Sequence, residues 1–256
     1  MQTMKQSIIH NLDPARFAEQ VLGFKADPWQ ADVLRYEGAR LMMLCSRQSG
    51  KTTAAAIKAL HTALFYPDSL TLIVSPSQRQ SSEMFRLVTK QMEKLNDPPL
   101  KVEDNKLSCT LASGSRIVSL PSDPNTVRGY SGPRLVLIDE AARCTESLYL
   151  AIRPSLATSG GQLILLSTPN GRQGFFFQAW ESEAESWEKI KITADQVSRI
   201  SPEFLQEERE TLGERFYSQE YNCEFVEGES AVFRYTDIMR CFKSDIKPLN
   251  LWEDDR

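Results

Sequence analysis

Short runs of mostly apolar residues alternate along this chain with longer segments whose apolar residues recur at helical spacing. The runs are 41–45, 70–75, 134–139 and 162–167. Strands that are apolar throughout are buried on both faces, which is typical of a parallel sheet covered by helices. The pattern therefore predicts an α/β fold with a mainly parallel sheet flanked by helices.

Helices are predicted before, between and after these strands. In one of them Met84, Val88 and Met92 follow the helical period. Residues 106–111 and 115–120 fit a hairpin, because a short turn with a glycine separates them. The predicted helices are 14–22, 28–36, 51–65, 77–95, 146–157, 173–184, 202–212 and 214–222, with one further strand at 188–193.

Composition excludes several classes of protein. The 256 residues are 41% hydrophobic and 25% charged, which is unlike a disordered or fibrous chain. No uncharged apolar stretch has the length of a membrane span, and the first residues lack the apolar core of a signal peptide. Five cysteines without a CxxC pair and two histidines argue against a disulfide framework, a zinc site or a histidine triad. We expect a cytosolic protein.

Charge is distributed unevenly. The net charge is −4, but residues 1–177 carry +5 and residues 178–256 carry −9. A basic body suits a domain that handles phosphates, and solvated helix faces explain the same distribution equally well.

The strongest local signal is the sequence LMMLCSRQSGKTTAAAI, in which a buried strand leads through a polar loop into a helix. Backbone N–H groups of such a loop cradle phosphates, a lysine reaches the β- and γ-phosphates, and a Ser or Thr hydroxyl ligates Mg²⁺. Lys51 and Thr52 occupy these positions after Gly50, while Cys45 replaces the usual first glycine. We predict a phosphate-binding loop rather than an ordinary strand–helix turn.

An acidic pair follows the strand RLVLID. Asp139 and Glu140 stand at its carboxyl end, the edge at which open α/β sheets bind ligands. Asp139 is predicted to hold the Mg²⁺ hydration shell, and Glu140 to polarise the attacking water. A simple cap of the following helix is the alternative.

Further polar residues are candidates for the same site, each with a structural alternative. Arg47 is predicted to lie near the γ-phosphate, or else to be a solvated loop residue. Ser167 and Thr168 end another buried strand and suit a contact with phosphate or water, or are merely a polar strand end. Gln30 suits recognition of adenine, or is a helix-surface glutamine. Arg128 lies in a predicted glycine-rich loop and is a candidate arginine finger, or a surface arginine.

Taken in order, the motifs SRQSGKTT, LIVSPSQRQ, VRGYSGPRLVLIDEAA, LSTPNG and QEYNCEF resemble the ATPase domain of large terminase subunits, the DNA-packaging motors of tailed bacteriophages. The resemblance runs from about Gln30 to Phe233. It implies a P-loop NTPase of the ASCE/RecA-like type with a core at 1–190, a small C-terminal subdomain at 191–240 and a tail at 241–256.

The resemblance also implies roles for single residues. Nucleotide binding is assigned to Gln30, Ser46, Arg47, Gln48, Ser49, Gly50, Lys51, Thr52 and Thr53; catalysis to Glu140, Lys51, Arg47 and Arg128; the metal to Thr52 and Asp139; and coupling of hydrolysis to movement to Ser167 and Thr168. Arg128 fits the arginine proposed in some members to act in trans across a ring of five subunits, and action on the chain's own nucleotide is the alternative.

The implied function is Mg²⁺-dependent ATP hydrolysis that drives double-stranded DNA into a procapsid in the host cytoplasm. Its implied partners are DNA phosphates independent of sequence, the portal protein, the small terminase subunit and further copies of the chain, with no membrane. Arg79 and Arg172 are candidate DNA contacts, although plain surface charge explains them more simply.

Terminase large subunits usually carry a second, nuclease domain. Only 23 residues follow Phe233, which are too few for one, so we expect either a truncated ATPase domain or a protein without the nuclease, and no DNA cleavage from this chain.

Two other classes remain open. A superfamily-two helicase core shares the phosphate loop and the acidic strand, but it would need a second RecA-like domain. A nucleotide-binding assembly module with little turnover is the other, and Glu140 argues against it.

Overall fold

The computed structural model describes residues 8–183, 186–227 and Cys241. The strands are β1 (Arg40–Cys45), β2 (Leu70–Ser75), β3 (Lys101–Asp104), β4 (Ser108–Leu111), β5 (Arg116–Pro121), β6 (Leu135–Asp139), β7 (Gln162–Ser167) and β8 (Glu188–Ile192). The α-helices are α1 (Pro14–Gln20), α2 (Pro28–Arg35), α3 (Lys51–Phe65), α4 (Gln78–Met92), α5 (Pro124–Arg128), α6 (Glu146–Ser159), α7 (Gly174–Glu181) and α8 (Pro202–Glu220).

All eight strands form one sheet in the order β3-β4-β5-β2-β6-β7-β1-β8. Six neighbouring strands pair in parallel, namely β5, β2, β6, β7, β1 and β8. At the other edge of the sheet, the pairs β3–β4 and β4–β5 are antiparallel. The predicted α/β fold with a mainly parallel sheet is therefore confirmed. Strand β7 separates β1 from β6, so the phosphate loop and the acidic pair end two strands that are not neighbours.

Alternate residues of the central strands enter two separate apolar cores, one on each face of the sheet. In β1, Leu41 and Met43 pack into one core, whereas Met42 and Leu44 pack into the other. All four side chains are almost completely buried. Burial of such a side chain contributes about 1.5–3 kcal/mol, which explains why an uninterrupted apolar run forms an interior strand, paired on both sides, here.

The helix ends follow local capping rules. The Ser77 side chain accepts the Gln80 N–H at the start of α4, and the Thr145 side chain accepts the Leu148 N–H at the start of α6. Helix α6 is capped by the next residue, Gly160, whose left-handed φ of 62° is typical of a glycine cap.

Three local details differ from the sequence prediction. Strand β3 was not predicted, because its sequence KVED is charged and exposed at the sheet edge. The expected loop around Arg128 is wrong: Arg128 ends the short helix α5, which begins with Asp123 as its cap and Pro124 in its first turn. The two predicted C-terminal helices are joined as α8 across a break at Gly213, where φ is 75° and ψ is 158°.

The C-terminal part of the described chain is attached directly to the sheet. Strand β8 pairs with β1 and ends at Ile192, just beyond the predicted core boundary at 190. The predicted division into core, subdomain and tail stays a prediction, and the tail at 241–256 lies outside the described residues except for Cys241. Among the described helices, none combines the length and the apolarity that a membrane crossing requires.

Candidate nucleotide site

The loop between β1 and α3 has the backbone expected of a phosphate cradle. Gly50 has φ 87° and Gln48 has φ 58°, so the chain turns sharply before Lys51 begins the helix. The Ser49 hydroxyl donates to the Ser46 carbonyl across this turn at 2.9 Å. The Ser46 hydroxyl is fully buried and has no hydrogen-bond partner among the described residues. The start of α3 therefore directs its free N–H groups toward the carboxyl edge of the sheet.

Lys51 and Glu140 come together at this edge. The Lys51 ammonium lies 3.3 Å from Oε1 of Glu140, and the lysine is buried. Glu140 has a left-handed backbone with φ 51°, which is uncommon for a residue with a side chain and clusters at functional sites. The predicted phosphate ligand and the predicted water-activating carboxylate thus face one another.

Asp139 is buried beside this pair. Its Oδ1 accepts the Glu140 N–H at 3.0 Å, and it forms no ion pair among the described residues. Burial, with a smaller contribution from the Glu140 charge, raises the pKa of Asp139 to about 6. The nearby Lys51 charge acts in the opposite direction and lowers the pKa, but among the described residues no cation lies within ion-pair distance of Asp139. A buried carboxylate in this setting suits a divalent ion. Thr52, the other predicted metal ligand, and its neighbour Thr53 are partly buried in the first turn of α3.

The end of β7 supplies the next polar residues. Ser167 and Thr168 are buried, the Ser167 hydroxyl accepts the Ala142 N–H at 3.2 Å, and Asn170 Nδ2 donates to the Ala142 carbonyl at 3.3 Å. Ser167 and Asn170 therefore hold the turn that follows Glu140, and the coupling role of Ser167 and Thr168 stays a prediction.

Gln30 braces the loop from α2. Its Nε2 donates to the Ser49 carbonyl at 3.3 Å, and its Oε1 accepts the Asp27 N–H at 2.9 Å. Arg199 was not singled out from the sequence, yet its guanidinium donates to the same Ser49 carbonyl and pairs with Asp27, both at 2.7 Å. The predicted contact of Gln30 with adenine stays a prediction, and its side chain also has this structural role.

Arg47 is paired with the C-terminal helix. Its Nε lies 2.7 Å from Oε2 of Glu220, and its backbone N–H donates to the Glu220 carbonyl at 3.1 Å. The hydrogen bond with Glu220 raises the pKa of Arg47 above its usual value. The arginine expected near the γ-phosphate thus connects the loop to the end of α8.

Arg143 is a second residue that the sequence reasoning missed. Its Nη1 contacts Oε2 of Glu140 at 2.9 Å and Oγ1 of Thr168 at 3.1 Å. Its Nη2 lies 3.9 Å from Oε1 of Glu220. The only signal in the sequence was the position of Arg143 three residues after Glu140. Its other two partners, Thr168 and Glu220, are remote in sequence.

The remaining predicted arginines lie outside this cluster. Arg128 and Arg79 are exposed, at the end of α5 and in the first turn of α4. Arg172 is exposed, and its Nε donates to the Phe225 carbonyl at 2.9 Å.

A cleft of about 230 Å³ opens over the phosphate loop. It is lined by Arg47, Gln48, Lys51, Gln80, Glu140, Arg143 and Thr168. A loop that ends at a helix N-terminus, an acidic strand end and one strand between them define a P-loop NTPase of the ASCE type.

The sequence agrees with one family within this class. The family model "Terminase large subunit, T4likevirus-type, N-terminal" matches residues 42–240, which is more than half of the chain. The chain therefore belongs to the N-terminal domain family of large terminase subunits, and the resemblance seen in its motifs is confirmed.

Similar proteins support this assignment. The large terminase subunit of Thermus phage G20c is 25% identical over 86% of this chain and 53% of its own length. The large terminase ATPase domain of Thermus phage P74-26 has a TM-score of 0.74 at 24% identity, over 84% of this chain and 100% of that domain. The large terminase of a thermophilic bacteriophage in complex with ATP-γ-S has a TM-score of 0.63 at 14% identity, over 79% of this chain and 53% of its own. The chain spans about half the length of the curated relatives it matches.

Proposed function

We propose that this chain is an ATP-hydrolysing motor domain whose turnover drives double-stranded DNA into a procapsid. The observation that carries the proposal is the convergence of Lys51 and Glu140 at 3.3 Å on the phosphate loop. Family membership supports the same function.

The order of events follows from the residues at the cleft. The loop N–H groups and Lys51 bind the β- and γ-phosphates, and phosphate binding draws the Lys51 ammonium away from Glu140. The released carboxylate oxygen accepts a hydrogen bond from water and orients it in line with the γ-phosphate. Lys51 stabilises the charge that develops on the transferred group.

Mg²⁺ is part of the proposal, with Thr52 and Asp139 as its protein ligands. Among the described residues, no three His, Cys, Asp or Glu side chains form a metal cage. That fits Mg²⁺, which uses one or two protein oxygens together with substrate phosphates and water. When bound, the ion would neutralise charge on the phosphates.

The DNA contact is proposed to involve phosphates rather than bases, since packaging has to accept every sequence. Family membership supports three protein partners: the portal protein, the small terminase subunit and further copies of this chain in a ring. The proposed site of action is the host cytoplasm.

The alternatives have less support. A helicase core shares the phosphate loop and the acidic strand, but the family model that matches residues 42–240 is that of a terminase domain. A binding module without turnover leaves Glu140 unexplained, because a left-handed backbone beside the phosphate loop is costly to maintain without a function.

Substitution of Glu140 tests the proposal. Glu140→Gln keeps the size of the side chain, so binding of ATP should persist while phosphate release falls about 100-fold or more. Glu83→Gln is the matched control, because Glu83 also pairs with an arginine three residues later but is exposed on α4. Equal turnover in Glu140→Gln and wild type would refute the catalytic role, and a wild-type chain that binds ATP without releasing phosphate would support the binding module.

A further inference from the structure

Both carboxylate oxygens of Glu140 are held by cations. Lys51 contacts Oε1 at 3.3 Å, and Arg143 contacts Oε2 at 2.9 Å. The proposed reaction moves Lys51 toward phosphate, which leaves Arg143 as the remaining cation on Glu140. The orientation of the carboxylate toward the cleft then depends on this arginine.

Arg143 is itself fixed by the turn that carries it. Its backbone N–H donates to the Glu140 carbonyl at 2.8 Å, which closes a single 3-10 turn. The Ser167 hydroxyl at the end of β7 and the Asn170 side chain in the loop after it hold the turn, both through the backbone of Ala142. A guanidinium on a braced turn is a rigid support for the carboxylate beside it.

The same guanidinium reaches two other parts of the fold. It donates to Thr168 at 3.1 Å and lies 3.9 Å from Glu220, which in turn holds Arg47. Charges of alternating sign therefore run from Lys51 through Glu140, Arg143 and Glu220 to Arg47. This series connects the cleft to the C-terminal end of α8.

We propose that Arg143 is the positioning residue for Glu140 and the connection through which occupation of the cleft reaches α8. The inference rests on the proposed function and extends it to a residue outside the predicted site. A guanidinium suits this position because its forked donors satisfy several partners at once: Nη1 contacts Glu140 and Thr168, and Nη2 lies 3.9 Å from Glu220.

The first experiment measures kcat, KM and nucleotide affinity for the whole chain with Arg143→Gln and Arg143→Lys. Loss of orientation should lower kcat about 100-fold in Arg143→Gln, since small displacements of a catalytic group have effects of this size. The Kd for ATP-γ-S should stay within about twofold, because the removed contact acts on Glu140 and not on the phosphates. Arg143→Lys should recover part of kcat by restoring one cation.

Arg86→Gln is the matched control. Arg86 also pairs with a glutamate three residues earlier, at 3.2 Å, but on the exposed face of α4. Its kcat should equal that of the wild type. A kcat for Arg143→Gln within about threefold of the wild type would overturn the inference, as would equal losses of affinity and kcat in both Arg143 variants.

A second measurement is independent of turnover. Amide hydrogen exchange over 214–222 is followed with and without ATP-γ-S. Bound analogue should alter exchange in the wild type and in Arg86→Gln, and this change should disappear in Arg143→Gln. Retention of the change in Arg143→Gln, or its absence from wild type with analogue bound, would overturn the connection. A wild-type chain that shows the change in hydrogen exchange but releases no phosphate would refute the proposed ATP hydrolysis, and it would leave the connection through Arg143 intact.

Discussion

The ammonium of Lys51 lies 3.3 Å from the carboxylate of Glu140, so the residue predicted to bind phosphate and the residue predicted to activate water neutralise one another's charge. In the proposed mechanism, nucleotide phosphates compete with Glu140 for the lysine. Hydrolysis would then begin only after this exchange of partners, which would couple binding of substrate to release of the base.

Lys51→Ala should weaken ATP binding by about 10- to 100-fold, because a hydrogen bond to a charged group contributes about 1.5–3 kcal/mol. A titration with a fluorescent ATP analogue measures the change. Lys90→Ala, which removes an exposed lysine near the end of α4, should bind as the wild type does. Unchanged affinity in Lys51→Ala would remove the residue from the phosphate site.

Gly50→Ala should disturb the phosphate loop in two ways, through the strain of a positive φ and through a clash with Gln30. A Cβ at Gly50 would lie 2.8 Å from Nε2 of Gln30, which would displace the amide from the Ser49 carbonyl. Gly132 is the control: it also has a positive φ, of 65°, but a Cβ there meets nothing within 4 Å. Both variants should lose about 1 kcal/mol of unfolding free energy from strain, and only Gly50→Ala should also lose nucleotide affinity. Equal affinities in the two variants would contradict the bracing role of Gln30.

Arg128→Ala should show whether a neighbouring chain supplies a catalytic arginine or each chain is catalytically complete. Arg128 is exposed at the end of α5 and does not line the cleft over the phosphate loop. If a neighbouring chain supplies it, phosphate release per chain should rise with protein concentration in the wild type, and the variant should lose that rise. An arginine finger contributes about 10³–10⁵ in rate. A flat, unchanged rate per chain would exclude this role.

His61 should make the fold sensitive to acid. It is buried against Phe17 and Phe65, and burial lowers the pKa of His61 to about 4, below its ordinary value. The unfolded chain therefore takes up a proton on this residue at a higher pH than the folded chain does. Its contribution to stability is complete above pH 6.5 and is lost progressively as the pH falls toward 4.

From pH 7 to pH 5 this effect should lower the free energy of unfolding by about 2 kcal/mol, as measured by urea unfolding. His61→Phe should show a correspondingly smaller loss over the same range. His10→Gln is the control, because the backbone carbonyl that His61 contacts is retained. A pH dependence in His61→Phe identical to that of the wild type would contradict the assignment.

The interior of the sheet could be predicted because its strands are short runs of apolar residues. Such side chains are buried by the hydrophobic effect, which requires no particular partner residue. Strand β1 and helix α3 have nearly the predicted bounds, since burial and the glycine before Lys51 fix both. Strand β3 could not be found this way, because it is held by pairing with β4 and its side chains face solvent. Helix α5 could have been found, since an Asp-Pro pair is a known helix start.

The site was predicted only as far as local motifs reach. Lys51, Asp139 and Glu140 carry their chemistry in their immediate sequence context. Arg199 and Glu220 contribute through contacts with residues more than a hundred positions away, and no spacing rule reports such contacts. The roles assigned to single residues stay predictions until the substitutions described above are measured.

The break at Gly213 makes α8 two rods rather than one lever. The shorter rod ends at Glu220 and is fastened to the phosphate loop, whereas the longer rod, 202–212, is largely exposed. The longer rod is nevertheless tied to the shorter one across the glycine, because Arg209 pairs with Glu214 at 2.7 Å and the Tyr221 hydroxyl donates to Oε2 of Glu208 at 2.6 Å. A displacement of the longer rod therefore reaches the end of α8 through side-chain contacts, although the helical backbone is interrupted at Gly213.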